Sequence, residues 1–174
     1  MKIFNILILI SIIPLVGVML LILIPGRYNS YCFNAALVIS SLTFILSLIM
    51  WLIFDSGHNS FQFLCTIDWL PAFNFYYTVG VDGISLFFLI LTTFLIMVCV
   101  LISWGSINYR LKEYLINFLL LEFLLIQVFS VLDLLLFYVF FESILMPMFL
   151  IIGIWGSRER KIRAAYQFFL YTLV

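Results

Sequence analysis

Charged side chains are scarce in this sequence of 174 residues. Only 9% of the residues are Asp, Glu, Lys or Arg, eight acids balance eight bases, and 67% of the residues are hydrophobic. A soluble domain carries roughly 25% charged residues, because its surface must be hydrated. The composition therefore excludes a soluble globular protein and indicates that lipid is the solvent. The lack of net charge also gives no reason to expect nucleic acid as a partner.

Cysteine pairs and nucleotide motifs are absent as well. Cys32, Cys65 and Cys99 are scattered, with no C-x-x-C pair and no histidine at ligand spacing. We therefore expect neither a disulfide framework nor a metal site. No loop carries a G-x-G-x-x-G or Walker pattern, so we expect no cofactor bound by this chain itself.

Long apolar runs dominate what is present. About 20 apolar residues cross a hydrocarbon layer of ~30 Å as a helix, and a helix pairs its backbone amides internally, as lipid requires. The sequence predicts a single all-α domain over residues 1–174. It is a polytopic transmembrane bundle of about five full spans plus the start of a sixth. The predicted spans are 3–24, 32–54, 84–104, 114–131, 133–154 and 162–174.

The first and the sixth of these spans differ from the others. The first run is longer than the ~7 to 15 residues of a signal-peptide core, so we expect it to be retained. The sixth is incomplete, because Ala164 to Val174 would make only roughly 16 Å of helix. A helix end in lipid leaves carbonyls unpaired, so we expect another chain or further sequence to complete this span.

The basic residues predict an orientation. Lys and Arg are retained on the side from which a membrane protein is inserted. Only Lys2 lies on one side, whereas seven bases fall in the loops of the other: Arg27, Arg110, Lys112, Arg158, Arg160, Lys161 and Arg163. The N-terminus then faces the outer side, as does the 55–83 connection, which carries His58, Asp68 and a turn at Trp69, Leu70 and Pro71. The basic run at 158–163 has three possible roles. It anchors the two adjoining spans, it attracts or repels protons at the inner surface, or it binds a neighbouring subunit.

Two acids cannot reach water, Glu122 and Glu142. Each is nine residues from an acid at a helix end, Glu113 and Asp133 respectively, on helices that run in opposite directions. Nine residues of helix rise roughly 13 Å, so both carboxyls reach about the middle of the bilayer. A carboxylate there costs at least ~2.5 kcal/mol and usually faces a partner, water or the bundle interior. Such an acid can exchange a proton near neutral pH, which a proton relay requires.

The alternative for both acids is a structural role, in which a protonated Glu ties two helices together. For Glu122 both interpretations stay open. For Glu142 a functional role is favoured, because Pro147 lacks an amide hydrogen and leaves the carbonyl of Ser143 without its helical donor. That carbonyl, the Ser143 hydroxyl and the acid are expected to form a polar patch. Asp133 is expected to cap the fifth helix, as Asp82 caps the third.

Four segments carry a family resemblance. They are DLLLFYVFFESILMPM at 133–148, VGVDGISLFF at 79–88, IWGS at 154–157 and RKIRAAYQFFLYTL at 160–173. The sequence resembles the antiporter-like membrane subunits of chain 4 type in mitochondrial NADH-ubiquinone oxidoreductase, respiratory complex I. The match runs from about residue 50 onward and is weaker before. The acid, the proline five residues later and the basic loop keep their spacing, which makes it specific.

The resemblance implies about fourteen helices with two inverted five-helix repeats, a common transporter plan. It also implies that Glu142 pairs with a lysine on a seventh helix, which this chain does not reach. We therefore expect a separate chain that carries the remaining helices, or a truncated product.

The function implied is that of a subunit of the proton-translocating NADH:ubiquinone reductase in the mitochondrial inner membrane. Its N-terminus would lie on the intermembrane-space side, and Glu142 would serve a proton half-channel. Flavin, iron–sulfur clusters and ubiquinone would lie elsewhere in the complex, and the partners would be other membrane-arm subunits and lipids. The alternatives are a subunit of a cation/proton antiporter and an assembly or scaffold protein.

Overall fold

A computed structural model describes residues 6–26, 29–55, 57, 60–70, 75–107, 109–156 and 160–173. These residues form six helices and one hairpin: α1 (Ile6–Leu23), α2 (Asn29–Ile53), β1 (Gln62–Leu70), β2 (Phe75–Val81), α3 (Gly83–Ser106), α4 (Leu111–Ser130), α5 (Leu134–Trp155) and α6 (Lys161–Leu173). Helices α1 to α5 are long and apolar enough to cross a membrane, and α6 is shorter. The predicted helical membrane bundle is confirmed.

Two helices begin earlier than the apolar runs suggested, because polar residues occupy their first turns. Helix α2 begins at Asn29 and α4 at Leu111, each three residues before the predicted start. Lys112 then lies inside α4, and its Nζ donates to the carbonyls of Ile22 (2.9 Å) and Ile24 (2.7 Å) at the end of α1. The lysine thus stays at the bundle end while satisfying carbonyls that a helix terminus leaves unpaired.

The 55–83 connection, expected to be a loop, contains an antiparallel hairpin. Strands β1 and β2 pair with Thr66 opposite Thr78 and Ile67 opposite Tyr77. The expected turn at Trp69 and Leu70 is wrong, because both residues belong to β1; Pro71 and His58 lie outside the described residues. The strands are rich in β-branched and aromatic side chains, which favour a pleated conformation.

The hairpin packs back on the bundle rather than standing free. The backbone N–H of Leu132 donates to the carbonyl of Thr78 (3.0 Å), and Val79 forms an isolated bridge with Val131. Val79 and Val81 are buried. We call the end of the bundle that carries the hairpin the hairpin end, and the opposite end, which carries Arg110, Lys112 and Lys161, the basic end.

Helix α4 lies at the centre of the bundle, where it packs against α1, α2, α3, α5 and β2. Leu115, Leu119 and Ile126 on α4 are fully buried. Helix α1 comes close to α2 and α4 at Gly17, where an added Cβ would lie 2.9 Å from Ile39 and 3.1 Å from Leu119. Small residues allow such close approach in membrane bundles. Any polar side chain on the inner faces of these helices is therefore enclosed by protein.

Both predicted helix caps are present at the hairpin end. Asp82 accepts from the backbone N–H of Ser85 (2.7 Å), and Asp133 accepts from those of Leu135 (2.8 Å) and Leu136 (3.3 Å). Hydrogen bonds from the side chain and backbone of Ser85 hold the pKa of Asp82 below its usual value. These carboxylates fix where α3 and α5 begin.

Candidate functional site

Glu122 lies at the α2–α4 contact and is fully buried. Three hydroxyl residues of α2, Ser40, Thr43 and Ser47, are also fully buried. Their spacing of three and four residues places them on one face of the helix. The Thr43 hydroxyl reaches across to Oε1 of Glu122, so the acid meets a polar stripe and not lipid.

The Thr43 hydroxyl has one hydrogen but two acceptors within reach. It lies 2.9 Å from the carbonyl of Ser40 and also contacts Oε1 of Glu122. When the hydrogen points to Ser40, a protonated Glu122 donates to Thr43; when it points to Glu122, the acid accepts as a carboxylate. The site can therefore hold the acid in either form through rotation of one hydroxyl. Oε2 of Glu122 has no hydrogen-bond partner among the described residues.

Further buried polar groups lie between Glu122 and the hairpin end. The hydroxyls of Ser47 on α2 and Thr93 on α3 are 3.0 Å apart, and either can donate. Gln127 on α4 is buried and accepts a hydrogen bond from the Tyr77 hydroxyl of β2. Burial raises the pKa of Tyr77, and the bond to Gln127 opposes that shift. We call the side chains that run from Glu122 and its partner Thr43 toward the hairpin the polar column: Thr43, Ser47, Tyr77, Thr93, Glu122 and Gln127.

Glu142 lies in a different environment, on helix α5. Its side chain is half-buried, and Tyr138 lies one turn earlier on the same side of the helix. Tyr138 and Phe141 beside it are exposed, at 60% and 43%. The acid thus lies on the side of α5 that the described residues leave partly uncovered.

Of the other predicted members of the Glu142 site, Ser143 is arranged differently from expectation, whereas Pro147 and Asp133 lie where they were expected. The Ser143 hydroxyl donates to the carbonyl of Val139 (2.7 Å), so its single hydrogen serves its own helix and not Glu142. Pro147 is buried within α5, which continues through it from Leu134 to Trp155. Asp133 lies at the start of the same helix as its cap. The hydroxyl of Ser143 therefore does not donate to Glu142, and the rest of the polar patch expected there stays a prediction.

Sequence reasoning placed both acids near mid-helix but missed the residues around Glu122. The stripe of Ser40, Thr43 and Ser47 is visible in the sequence as a three-and-four spacing. The spacing does not show which helix the stripe faces. The contact of Tyr77 with Gln127 was not predicted, because Tyr77 lies in the hairpin and that segment was expected to be a loop. Among the described residues, no group of three or more His, Cys, Asp or Glu is placed to hold a metal ion.

Comparisons with known proteins find sequence similarity to one family. The family described as "NADH:quinone oxidoreductase/Mrp antiporter, TM" matches residues 131–174, which include α5 with Glu142. NADH-ubiquinone oxidoreductase chain 4 of Chondrus crispus is 65% identical over 174 residues, which are 100% of this chain and 35% of that protein. Its counterpart in Arabidopsis thaliana is 55% identical over 161 residues, 92% of this chain and 32% of that protein.

A solved structure agrees in fold. A chain of respiratory complex I from Thermus thermophilus with bound NADH superposes with a TM-score of 0.78 and 28% identity, over 96% of this chain and 32% of that one. The bundle and these matches define an antiporter-like membrane subunit of the NADH:quinone oxidoreductases. Within that class the chain belongs to the NADH-ubiquinone oxidoreductase chain 4 family, as the four segments predicted. It spans about a third of the length of the curated relatives it matches.

Proposed function

We propose that the chain serves in the membrane arm of a proton-translocating NADH:ubiquinone reductase and contributes a proton half-channel through Glu142. The observation that carries this proposal is the position of Glu142. It is a half-buried acid at the middle of α5, within the 131–174 segment that matches the family and on a side of α5 left partly uncovered. A carboxyl at that depth needs a polar partner, which an adjoining helix can provide.

The carboxyl of Glu142 would gain and lose a proton as a neighbouring cation approaches and withdraws. A nearby positive charge favours the carboxylate, and its removal favours the acid. Tyr138, one turn earlier on α5, can offer its hydroxyl to the carboxyl. Pro147 removes one backbone hydrogen bond a turn further on, which makes α5 easier to bend there. In this proposal, quinone reduction elsewhere drives the switch through coupling between sites.

The partner would be the remaining helices of the subunit, carried by a separate chain or by further sequence, packed on the uncovered side of α5. Leu134 and Met146 on α5 are 81% and 69% exposed. The chain's share of its relatives' length supports the same partner. Flavin, iron–sulfur clusters and ubiquinone belong to other subunits in this proposal, and this chain forms a single domain without a redox centre of its own. Other membrane-arm subunits and lipids cover the rest of the bundle.

The proposed location is the mitochondrial inner membrane, with the N-terminus and the hairpin end on the intermembrane-space side. The separation of the bases supports this orientation, because Arg110, Lys112, Lys161 and Arg163 gather at the basic end. Lys112 and Lys161 are held there by carbonyls, the latter by that of Ile154 at 2.7 Å.

The decisive experiment is Glu142→Gln in the assembled complex. A residue that transfers protons contributes about 10²- to 10⁴-fold, so we expect proton pumping coupled to NADH oxidation to fall at least about tenfold. Assembly should be retained, because Gln has the same size and can bond to Tyr138. The matched control is Glu113→Gln, at an exposed acid paired with Arg110. Full proton stoichiometry in Glu142→Gln would refute the proposal.

A cation/proton antiporter remains the second candidate, because the matching family covers Mrp antiporters as well as NADH:quinone oxidoreductases. Purification separates the two. Co-migration of this chain with flavin and iron–sulfur subunits supports the oxidoreductase, and migration without them supports the antiporter. The third alternative is a scaffold or assembly protein. In that case the double variant Glu122→Gln and Glu142→Gln would impair assembly more than pumping.

A further inference from the structure

Glu122 is more deeply enclosed than Glu142, yet the proposed half-channel does not use it. Its side chain has no exposed surface, and Thr43 is its hydrogen-bond partner. A buried carboxyl that served only to join two helices would be expected to have both oxygens paired. Oε2 is instead unpaired among the described residues and lies within the protein. Half of the carboxyl is therefore available for another hydrogen-bonding group.

The elements packed against α4 bring no base to this acid. Helix α1 has no ionisable side chain, α2 has Tyr31 and Cys32 near its start, and α3 has only Cys99. Helix α5 offers Tyr138 and Glu142, and among the described side chains of the hairpin the ionisable ones are Cys65, Tyr76 and Tyr77. Lys112, the base on α4 itself, lies at the basic end and binds carbonyls of α1. No described cation balances Glu122, so its charge is balanced only by a proton.

The polar column places further hydrogen-bonding side chains between Glu122 and the hairpin. The Thr43 hydroxyl contacts Glu122, and nearer the hairpin Ser47 and Thr93 form a pair in which either hydroxyl can donate. Gln127 lies five residues beyond Glu122, which is roughly 7.5 Å nearer the hairpin end. Its amide meets the Tyr77 hydroxyl. Each of these side chains can both donate and accept a hydrogen bond, and the last pair, Gln127 and Tyr77, lies at the hairpin.

We propose that Glu122 is a second proton-carrying site, connected to the hairpin end through the polar column and separate from Glu142. The step is a simple exchange, in which the carboxylate of Glu122 takes a proton delivered from the hairpin side and returns it by the same groups. This inference adds a site to the proposed function, but its test does not depend on Glu142.

The test follows the carboxyl itself by infrared difference spectroscopy on the complex in sealed vesicles. The carboxylic-acid band of Glu122 is identified as the one lost in Glu122→Gln. The pH is then stepped on one side of the membrane at a time. The side that the hairpin faces is identified by labelling Thr66→Cys, an exposed position of β1, with a membrane-impermeant maleimide. We expect the band to respond to the step on the hairpin side.

Variants of the column test the route. Thr43→Val and Tyr77→Phe remove one hydroxyl each and should slow the response of the band at least about tenfold, while Thr43→Ser should preserve it. The matched control is Ser103→Ala, which removes a buried hydroxyl of α3 bonded to the Val100 carbonyl near the basic end. It should leave the response unchanged.

Three results would overturn the inference: no pH-dependent band assigned to Glu122, a response to the basic side alone, or equal rates in Thr43→Val and Thr43→Ser. The experiment is repeated with Glu142→Gln present. Retention of the Glu122 response in that variant supports separate sites, and its loss contradicts them. Because pumping by Glu142→Gln is measured apart from the band, failure of this inference is distinguishable from failure of the proposed function.

Discussion

Helices α4 and α5 each carry one acid near mid-helix, but they enclose it to different degrees. In the most apolar stretch of α4, 44% of the residues are buried, against 17% in α5. Glu122 is accordingly fully buried against the hydroxyl residues of α2, whereas Glu142 is half-buried beside the exposed Tyr138. Equal depth along two neighbouring helices therefore does not imply equal environment. The environment depends on how many other helices pack around each one.

The largest contrast is expected from introducing a base. Glu122→Lys places an ammonium where no acid is available to pair with it, and an uncompensated buried charge costs about 3 to 5 kcal/mol. We expect this variant not to accumulate as assembled protein. Glu142→Lys, on the half-buried side of α5, should assemble in much greater amount. Yields of intact complex on native gels measure the difference, and equal yields would contradict the two environments.

Packing density can be compared at two glycines. Gly17→Ala on α1 would push a methyl group against Ile39 and Leu119 near α4, and overpacking of this kind costs about 1 to 3 kcal/mol. Gly153→Ala on α5 would meet only the Cβ of Ala165 at 3.9 Å, an ordinary contact. Since Ala favours helix by roughly 0.5 to 1 kcal/mol over Gly, this second change should be neutral or stabilising. Thermal unfolding in detergent gives both values, and a loss at Gly153 as large as at Gly17 would show uniform packing.

Hydrogen bonding to Glu122 should have a measurable but smaller effect. Thr43→Val keeps the shape of the side chain and leaves Oε1 of Glu122 without its donor, which costs about 1 to 3 kcal/mol. Ser143→Ala on α5 removes a hydroxyl that bonds only to its own helix, and should cost well under that. The free energy of unfolding is the measurement for both. Similar losses would mean that Thr43 also serves only its own helix.

The smallest expected effect lies at the α3 cap and depends on pH. The pKa of Asp82 is lowered by Ser85, so the carboxylate stabilises the folded state above its unfolded pKa of about 3.9. That stability is lost as the pH falls from there through the lower folded pKa. Asp82→Asn, which still caps, should therefore be less stable than the natural protein at neutral pH, and the gap should close in acid. A gap that is constant with pH would exclude this contribution.

The spans could be predicted from the sequence because a helix in lipid needs a long apolar run and little else. The bounds shifted where Asn29, Lys112 and Glu113 add polar first turns that hydropathy does not count. The hairpin was missed because β1 and β2 lie inside a connection between spans, and they gain their order by pairing and by contact with Val131. Strand pairing is a long-range property, which a reading along the chain does not contain.

The candidate site was predictable only in part, for a related reason. The depth of Glu122 and Glu142 follows from counting residues to the helix ends. Which helix each acid faces follows from rotation about the axis and from the partners around it. The spacing of Thr43 and Ser47 does not indicate a contact with another helix, because Ser and Thr in helices commonly bond to carbonyls of their own preceding turn. Ser143 does just that, whereas Thr43 also bonds across to another helix.

The hairpin is fastened to the corner between α4 and α5 by the hydrogen bond from Leu132 to Thr78. Thr78 is the immediate neighbour of Tyr77, whose phenol meets Gln127. A displacement of the corner between α4 and α5 would therefore be transmitted through one backbone hydrogen bond to the strand that carries Tyr77, and so to the contact between Tyr77 and Gln127.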